Sequence, residues 1–600
     1  MRLPSLDSAL GTARQTLARF PMALLSGFVA AVAAFRMIDG PSHDSQPRLL
    51  ATGVLGLALF TASVTSAERR GVAPRHRWIV DLVLAAGLAL LYYASLDWTP
   101  DHAALRFIQL LVAGHLLVAI APYLTSERLD GFWQFNRMLF LRHLTGALYV
   151  AVLWAGLSIA LVAVDKLFGV DIDSEMYAHL FAFLAFVFHP WFFLAGVPRD
   201  YTELETRDDY PAGLKVFTQF VLMPLVVIYL AILTAYLGKV ILTRTWPTGW
   251  IGYLVSSVSA TGVLALLLVH PLRERADSRW VNGYGRWWFV ALLPSLGMLL
   301  AAVAKRVGQY GFTEQRYFLL VLALWLLGLA LYYGITASRN IKLIPMTLCA
   351  VALLTTMGPW SAYAVSRRSQ LNRLDRLLEK NGMGRAGVPT PARGNVPVED
   401  RREMSAVFYY LASTHGSGAV GAVLGLPGDS VLAWSDTLKY GREDDIASRA
   451  MGRLGLRYMN RWDRPEGMGN QVYAHRQLPR STPVAGFEVA LTVHLPATGW
   501  IGTATDSIEY RRVEGTVVIR RDSTDLMTLD VAAAVGDALD ADSIAGGAGL
   551  MLTEPIVVEG EAQGYRVRLL LDAVYGELKD RRFIWHSGSG MLLAAGFKLR

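Results

Sequence analysis

The stretch Phe217-Thr-Gln-Phe-Val-Leu-Met-Pro-Leu-Val-Val-Ile-Tyr-Leu-Ala-Ile-Leu-Thr-Ala-Tyr-Leu-Gly-Lys-Val-Ile-Leu-Thr243 contains a single charged side chain, Lys239. As a helix it exceeds the roughly 20 apolar residues that cross about 30 Å of hydrocarbon. Working outward, comparable stretches recur at about 21–37, 49–66, 78–95, 104–123, 143–163, 178–197, 250–269, 287–304, 316–334 and 341–365, and none follows Val365. An isolated segment in lipid satisfies its backbone hydrogen bonds only as a helix. The pattern therefore predicts an α-helical polytopic membrane bundle of about eleven transmembrane helices over residues 1–365. An amphipathic helix and linker follow over 366–397, then a soluble α+β domain with an antiparallel sheet over 398–600. The first stretch follows Arg2, Arg14 and Arg19 as a signal sequence would, but lacks a small-residue cleavage site, so it is read as a retained helix.

Composition agrees. Hydrophobic residues make up 53% and charged residues 18% of the chain, and the mean hydropathy is +0.35, which excludes an ordinary soluble enzyme. The net charge of +8 comes largely from basic residues flanking apolar stretches, where anionic headgroups are the expected partner; no nucleic-acid partner is expected. One cysteine, Cys349, rules out an intrachain disulfide or a cysteine-based metal cluster.

Arg and Lys resist translocation, so their distribution sets orientation. One alternating set of loops holds Arg69, Arg70, Arg75 and Arg77, then Arg128, Arg137 and Arg142, then Arg199, Arg207 and Lys215, Arg273, Arg275, Arg279 and Arg286, and Arg339 with Lys342; the other set is poorer. The expectation is a bacterial inner-membrane protein with a cytoplasmic N-terminus and, after an odd number of crossings, a periplasmic or extracellular tail. Lys305, Arg306 and Arg316, and the basic run from Arg367 to Lys380, go against the rule, which long translocated domains escape.

In the tail, Leu371, Leu374, Leu377 and Leu378 share one face of a helix that Asn381-Gly382 stops. Met383–Pro397 reads as a linker. Val398–Leu424 reads as helix interrupted around His415-Gly416, and alternation from Phe487 to Val493, Thr516 to Ile519 and Tyr565 to Leu571 predicts strands.

Five runs carry a resemblance: Tyr210-Pro-Ala-Gly-Leu-Lys-Val-Phe-Thr-Gln-Phe, Trp246-Pro-Thr-Gly-Trp-Ile, Gln309-Tyr-Gly-Phe-Thr-Glu-Gln-Arg-Tyr-Phe, Asn340-Ile-Lys-Leu-Ile-Pro, and Gly358-Pro-Trp-Ser-Ala-Tyr-Ala-Val-Ser-Arg-Arg-Ser-Gln-Leu-Asn-Arg-Leu. In this order, over roughly Tyr210 to Gly382, the chain resembles a bacterial membrane family designated domain of unknown function 4153. The resemblance implies a polytopic inner-membrane protein and transfers no catalytic residue.

Ionisable groups inside apolar stretches are functional candidates by default. Asp81 and Arg106 lie near span ends, where snorkelling or pairing accounts for them. His115 sits mid-span and fits either interhelical hydrogen bonding or a proton relay. His189-Pro190 and His270-Pro271 mark kinks or exits, with the histidine satisfying a freed carbonyl. The connection Ala304–Tyr317 groups Lys305, Arg306, Gln309, Tyr310, Thr313, Glu314 and Arg316, which suits either an anionic headgroup or the tying of two helix ends. Tryptophans at 246, 250, 280, 287, 288 and 360 fit an interfacial belt. Thr414-His-Gly-Ser-Gly and His586-Ser-Gly-Ser-Gly read as turns. Phosphate-loop, zinc-helix and nucleophile-elbow motifs do not occur, so no cofactor or metal is assigned and the balance leans against an enzyme. Three functions are weighed. The first is a non-enzymatic envelope protein whose C-terminal domain binds a protein, lipid or wall component. The others are a transporter of a small or lipidic solute and a membrane-embedded enzyme on lipid-linked substrates.

Overall fold

The computed structural model describes residues 6–40, 45–126, 128–207, 209–244, 250–273, 279–336, 340–432, 442–459, 470–475, 484–495, 498–502, 506–521, 524–538, 550–551, 555–579 and 582–597. By internal contacts the chain forms two compact units, residues 1–394 with 407–456, and residues 395–406 with 457–600. Residues 407–456, which the sequence pattern groups with the tail, thus pack with the apolar region.

The first unit opens with α1 (Leu6–Arg19), α2 (Pro21–Asp39), α3 (Ser45–Arg69), α4 (Pro74–Ser95), α5 (Pro100–Ile120) and α6 (Leu129–Phe168). It continues with α7 (Ser174–Phe183), α8 (His189–Ala195), α9 (Tyr201–Thr206), α10 (Ala212–Phe217), α11 (Met223–Thr243), α12 (Trp250–Leu268), α13 (Arg279–Tyr310), α14 (Glu314–Ile335), α15 (Leu343–Thr356) and α16 (Ala362–Lys380). Among the described residues, 10 of the resulting spans are long and apolar enough to cross a membrane, and α15 is a shorter apolar helix. Three details differ from the sequence reading. At 40 residues, or about 60 Å, α6 overruns the expected 143–163, and Phe132, Trp133, Gln134 and Phe135 of its first turns are buried. Five-residue π turns, Leu184–Phe188 and Thr218–Leu222, each lie just before a proline (Pro190, Pro224), where the wider turn accommodates the missing N–H and the ring's clash with the preceding carbonyl. The expected span 341–365 is broken: α15 stops at Thr356, Gly358 takes φ +87°, and α16 restarts at Ala362.

Lipid offers helices no hydrophobic drive to associate, so close packing at small residues does that work. The buried face of α2 is Ala23, Ser26, Gly27, Ala30, Ala31, Ala33 and Ala34, and it meets Gly53 and Gly56 of α3. A Cβ on Gly53 would lie 2.9 Å from Ala30 N and Ser26 O. Gly114 and Gly262 also sit at close approaches; a Cβ on Gly262 would fall 2.2 Å from the Trp288 ring. Gly87 and Gly156 face open space. Trp288 is therefore a core residue at 3% exposed, while Trp280, Trp287 and Trp360 are exposed as a belt requires; Trp246 lies outside the described residues.

Polar contacts sort the connections into two faces. On one, Arg19 pairs with Glu68 and donates to Val197 O, Arg69 pairs with Glu205, Arg137 with Asp209, and Lys342 Nζ reaches the carbonyls of Tyr123 and Ser126. On the other, Arg48 donates to Leu96 O and Trp98 O, Thr99 Oγ1 to Thr414 O, and Phe312 N to Ser369 Oγ. The first face holds the Arg-rich connections; the second holds the poorer ones and the chain after the last crossing. Asp81 is 1% exposed, accepts from Ser63 Oγ at 2.7 Å and lies 3.6 Å from Arg77, a partnered structural group.

After α16, Gly382 at φ +67° ends the helix as expected and Met383 N bonds Leu378 O. The expected linker contains a small hairpin, β1 (Gly384–Arg385) with β2 (Val388–Pro389). Next come α17 (Val398–Tyr410), a π turn Leu411–His415, α18 (Ser417–Leu424), α19 (Gly428–Leu432) and α20 (Arg442–Arg453).

The second unit is built on strands β3 (Asn470–His475), β4 (Val489–Leu495), β5 (Gly499–Gly502), β6 (Ser507–Val513), β7 (Thr516–Arg521) and β8 (Thr524–Asp530), then helix α21 (Val531–Ala538), then β9 (Leu550–Met551), β10 (Ile556–Ala562), β11 (Tyr565–Lys579) and β12 (Arg582–Ala595). One sheet runs β4-β12-β11-β3-β9 with β10 also on β11, and the other runs β5-β6-β7-β8. Pairing is antiparallel except β3 with β9. Gln563 and Gly564, both at positive φ, close the β10–β11 hairpin across Ala562↔Tyr565, a two-residue turn whose twist suits the strands. Ile508, Val517, Ile519, Val567, Leu571 and Trp585 form its core. His586-Ser-Gly-Ser-Gly, read above as a turn, is instead inside β12, where a Cβ on Gly590 would strike Leu570 O.

Candidate functional site

The break between α15 and α16 opens beside a cavity of about 900 Å³, lined by Leu90, Leu91 and Met357 together with Arg106, Arg367, Tyr363, His102 and His415. Unwound backbone at the edge of a membrane bundle is tolerated where it lines such a cavity. The break follows from Gly358-Pro359: the glycine takes a left-handed φ and the proline cannot continue a helical hydrogen bond. Ser361 Oγ caps α16 by accepting from Ala364 N.

Three elements converge below the cavity. His102 is in the first turn of α5, Glu314 is the first residue of α14, and His415 ends the π turn after α17, where Gly416 at φ +78° turns the chain away. Glu314, 5% exposed, accepts from Ser366 Oγ at 2.6 Å and from Tyr410 OH at 2.7 Å. Its Oε1 lies 3.7 Å from His102 Nε2 and 3.6 Å from His415 Nε2. Both distances exceed a hydrogen bond, and each Nε2 is buried without a hydrogen-bond partner. The imidazoles meet edge to face with centroids 4.7 Å apart. Burial, then the neighbouring His102, pushes His415 down to about 4, so its ring is neutral near neutral pH. Burial and Glu314 push the Tyr410 hydroxyl up, keeping it a donor to the carboxylate.

Arg106 lies between two aromatic faces, its Cζ 4.3 Å from the Trp98 centroid and 4.4 Å from that of Tyr363. Tyr363 OH is held by Gln109, whose amide donates to Thr355. Arg106 Nε is buried without a partner. The guanidinium is thus fixed by stacking, and an aromatic sandwich spares its in-plane donors for an acceptor in the cavity.

The cluster expected at Ala304–Tyr317 is differently built. α13 runs to Tyr310, so Lys305, Arg306, Gln309 and Tyr310 are exposed on its last turns and the connection is only Gly311–Thr313. Arg316 donates to Gly311 O at 2.7 Å, and Gln370 Nε2 to Tyr310 O and Phe312 O; these tie helix ends. Glu314 alone turns inward. His115 and His189 line a second cavity of about 470 Å³ together with His143 and Asn136. His189 Nε2 is 3.4 Å from His143 O and the two rings are 4.7 Å apart. His270 instead sits in a buried turn closing α12, so the two His-Pro dipeptides do not form one group. Sequence reasoning missed His102 and His143, and took His415 for a turn residue.

This combination, a many-span helical bundle with a polar cluster at a broken last span, defines a multi-pass membrane protein. A family model described as a domain of unknown function, DUF4153, matches residues 23–390, and the chain belongs to that family. The match extends well before Tyr210, over the N-terminal spans. An uncharacterized protein of Pasteurella multocida (strain Pm70) is 25% identical over 227 residues, 37% of this chain and 38% of that protein's length. No solved structure matches significantly.

Proposed function

We propose that the protein binds an anionic amphiphile, a lipid or lipid-linked molecule with a phosphate-type headgroup, in the cavity at the α15–α16 break. The observation that carries this is Arg106, stacked between Trp98 and Tyr363 in the lining of a cavity that also includes Leu90, Leu91 and Met357. Arg367 and the N-terminal end of α16 add positive potential. A headgroup meets the cations while its chains lie along the leucines. An anionic amphiphile gives the lipid partner expected from the sequence a specific chemistry.

We further place the chain in the bacterial inner membrane with the Arg-rich face, and so the N-terminus, in the cytoplasm, and the cavity face outside. A reporter fused after Arg600 that is active only in the cytoplasm overturns that orientation.

The amphiphile reading is tested with full-length protein in nanodiscs, titrating an anionic against a zwitterionic phospholipid and following bound lipid by native mass spectrometry. Loss of a charge-assisted contact of about 1.5–3 kcal/mol weakens binding about 10- to 100-fold. Arg106→Met is expected to do this for the anionic lipid, with His115→Ala unaffected; equal retention of both lipids by wild type and Arg106→Met refutes it. A second reading, transport between helices, is favoured by the His115–His143–His189 cavity, and flux into proteoliposomes abolished by His143→Ala supports it.

A further inference from the structure

We propose that His102, Glu314 and His415 hold a divalent first-row transition ion of the zinc class. The three candidate ligand atoms lie within 4.8 Å of one another. Metal–ligand bonds of about 2.0–2.2 Å give a tetrahedral edge of about 3.4 Å, so the 3.7 and 3.6 Å separations from Glu314 to the two imidazoles need to close by only a few tenths of an ångström. The histidine pair needs the larger adjustment, and both rings sit at helix ends, where small backbone shifts are least resisted.

Two independent observations point to a ligand. First, both Nε2 atoms are orphaned although their side chains are only 10% and 5% exposed. An unsatisfied buried polar atom costs about 1–3 kcal/mol, and here two face one carboxylate oxygen without bonding to it; a cation between them satisfies all three. Second, the carboxylate is already oriented. Ser366 Oγ donates to Oε1 and Tyr410 OH to Oε2, the kind of outer hydrogen bonds that hold ligating carboxylates in place. Two imidazoles and one carboxylate suit zinc or ferrous iron and disfavour magnesium and calcium, which take oxygen donors. His102 and His415 also line the cavity while Glu314 lies behind them, so any remaining coordination position faces the space occupied by the amphiphile. The metal site does not depend on that occupant, because the ion is read out directly.

The test uses the full-length chain in detergent with any affinity tag removed. After stripping with chelator and reloading, one Zn²⁺ or Co²⁺ per chain is expected by elemental analysis, with visible d–d bands for cobalt and an X-ray absorption spectrum showing nitrogen and oxygen neighbours with imidazole scattering. Wild type that retains less than a tenth of an equivalent after reloading overturns the proposal, as does one equivalent surviving in His102→Ala/His415→Ala protein. Because those variants remove buried side chains, Tyr410→Phe serves as a milder one. It leaves all three ligands and is expected to weaken affinity about 10- to 100-fold, while His143→Ala in the second cavity leaves it unchanged. Equal affinity in wild type and Tyr410→Phe also counts against the site.

Discussion

Two glycine-to-alanine substitutions separate the cost of close helix approach from the gain in helix propensity. Both Gly53 and Gly156 lie within helices, so alanine at either favours the helix by up to about 1 kcal/mol. At Gly156 the new methyl meets nothing within 4 Å, and only that gain should register. At Gly53 it would sit 2.9 Å from two backbone atoms of α2, Ala30 N and Ser26 O, and 3.1 Å from Ala30 Cα. Backbone cannot swing aside as a flexible side chain does, so α2 and α3 must move apart by about half an ångström along a seam of alanines, an overpacking cost of about 1–3 kcal/mol. Subtracting one variant from the other cancels propensity and leaves the clash. At the few degrees per kcal/mol expected, less in a unit this large, Gly53→Ala should unfold about 2–5 °C below Gly156→Ala. Tryptophan fluorescence of the detergent-solubilised chain on heating at one scan rate measures this. Equal shifts of the same sign for the two variants would refute the account of the seam.

Three other outcomes are expected. Tyr410→Phe removes a donor to the buried Glu314 carboxylate and should lower stability by about 1.5–3 kcal/mol, seen as a reduced thermal midpoint with unchanged helix content by circular dichroism. Gly416→Ala must place a side chain at φ +78° with its Cβ 3.1 Å from Thr99 Cγ2; strain of about 1–3 kcal/mol should displace His415 and weaken cobalt binding in parallel with stability. Arg48, 6% exposed, donates to the carbonyls of Leu96 and Trp98 after α4. Arg48→Met should destabilise by about 1–3 kcal/mol, and a midpoint equal to wild type argues against that cap.

The spans were legible because lipid imposes a length and a composition on every crossing, as Phe217 through Thr243 illustrates. Local punctuation was legible too: Asn381-Gly382 ends α16, and the interruption at His415-Gly416 is real. What periodicity does not carry is the partner. His102, Glu314 and His415 are separated by some two hundred and one hundred residues, and only the packing of α5, α14 and the π turn brings them together. The basic cluster was misplaced for a local reason. Charge density at Lys305 and Arg306 resembles a loop, yet α13 continues until Gly311 takes φ +72°, and charges on an exposed last turn do not stop a helix. The histidine pair 143 and 189 was hidden because His143 lies at the very start of its expected span, where it looks like an end residue.

α15 is 14 residues long, about 21 Å of rise, against about 30 Å of hydrocarbon. The shortfall of about 9 Å is a mismatch that surrounding lipid meets by tilting or compressing, at fractions of a kcal/mol per ångström. Local thinning of the leaflet at so short a helix would bring headgroups toward the α15–α16 break and the cavity beside it. Bilayers of shorter-chain lipid should relieve that local mismatch at α15, while the ten longer spans take up the thinner core by tilting.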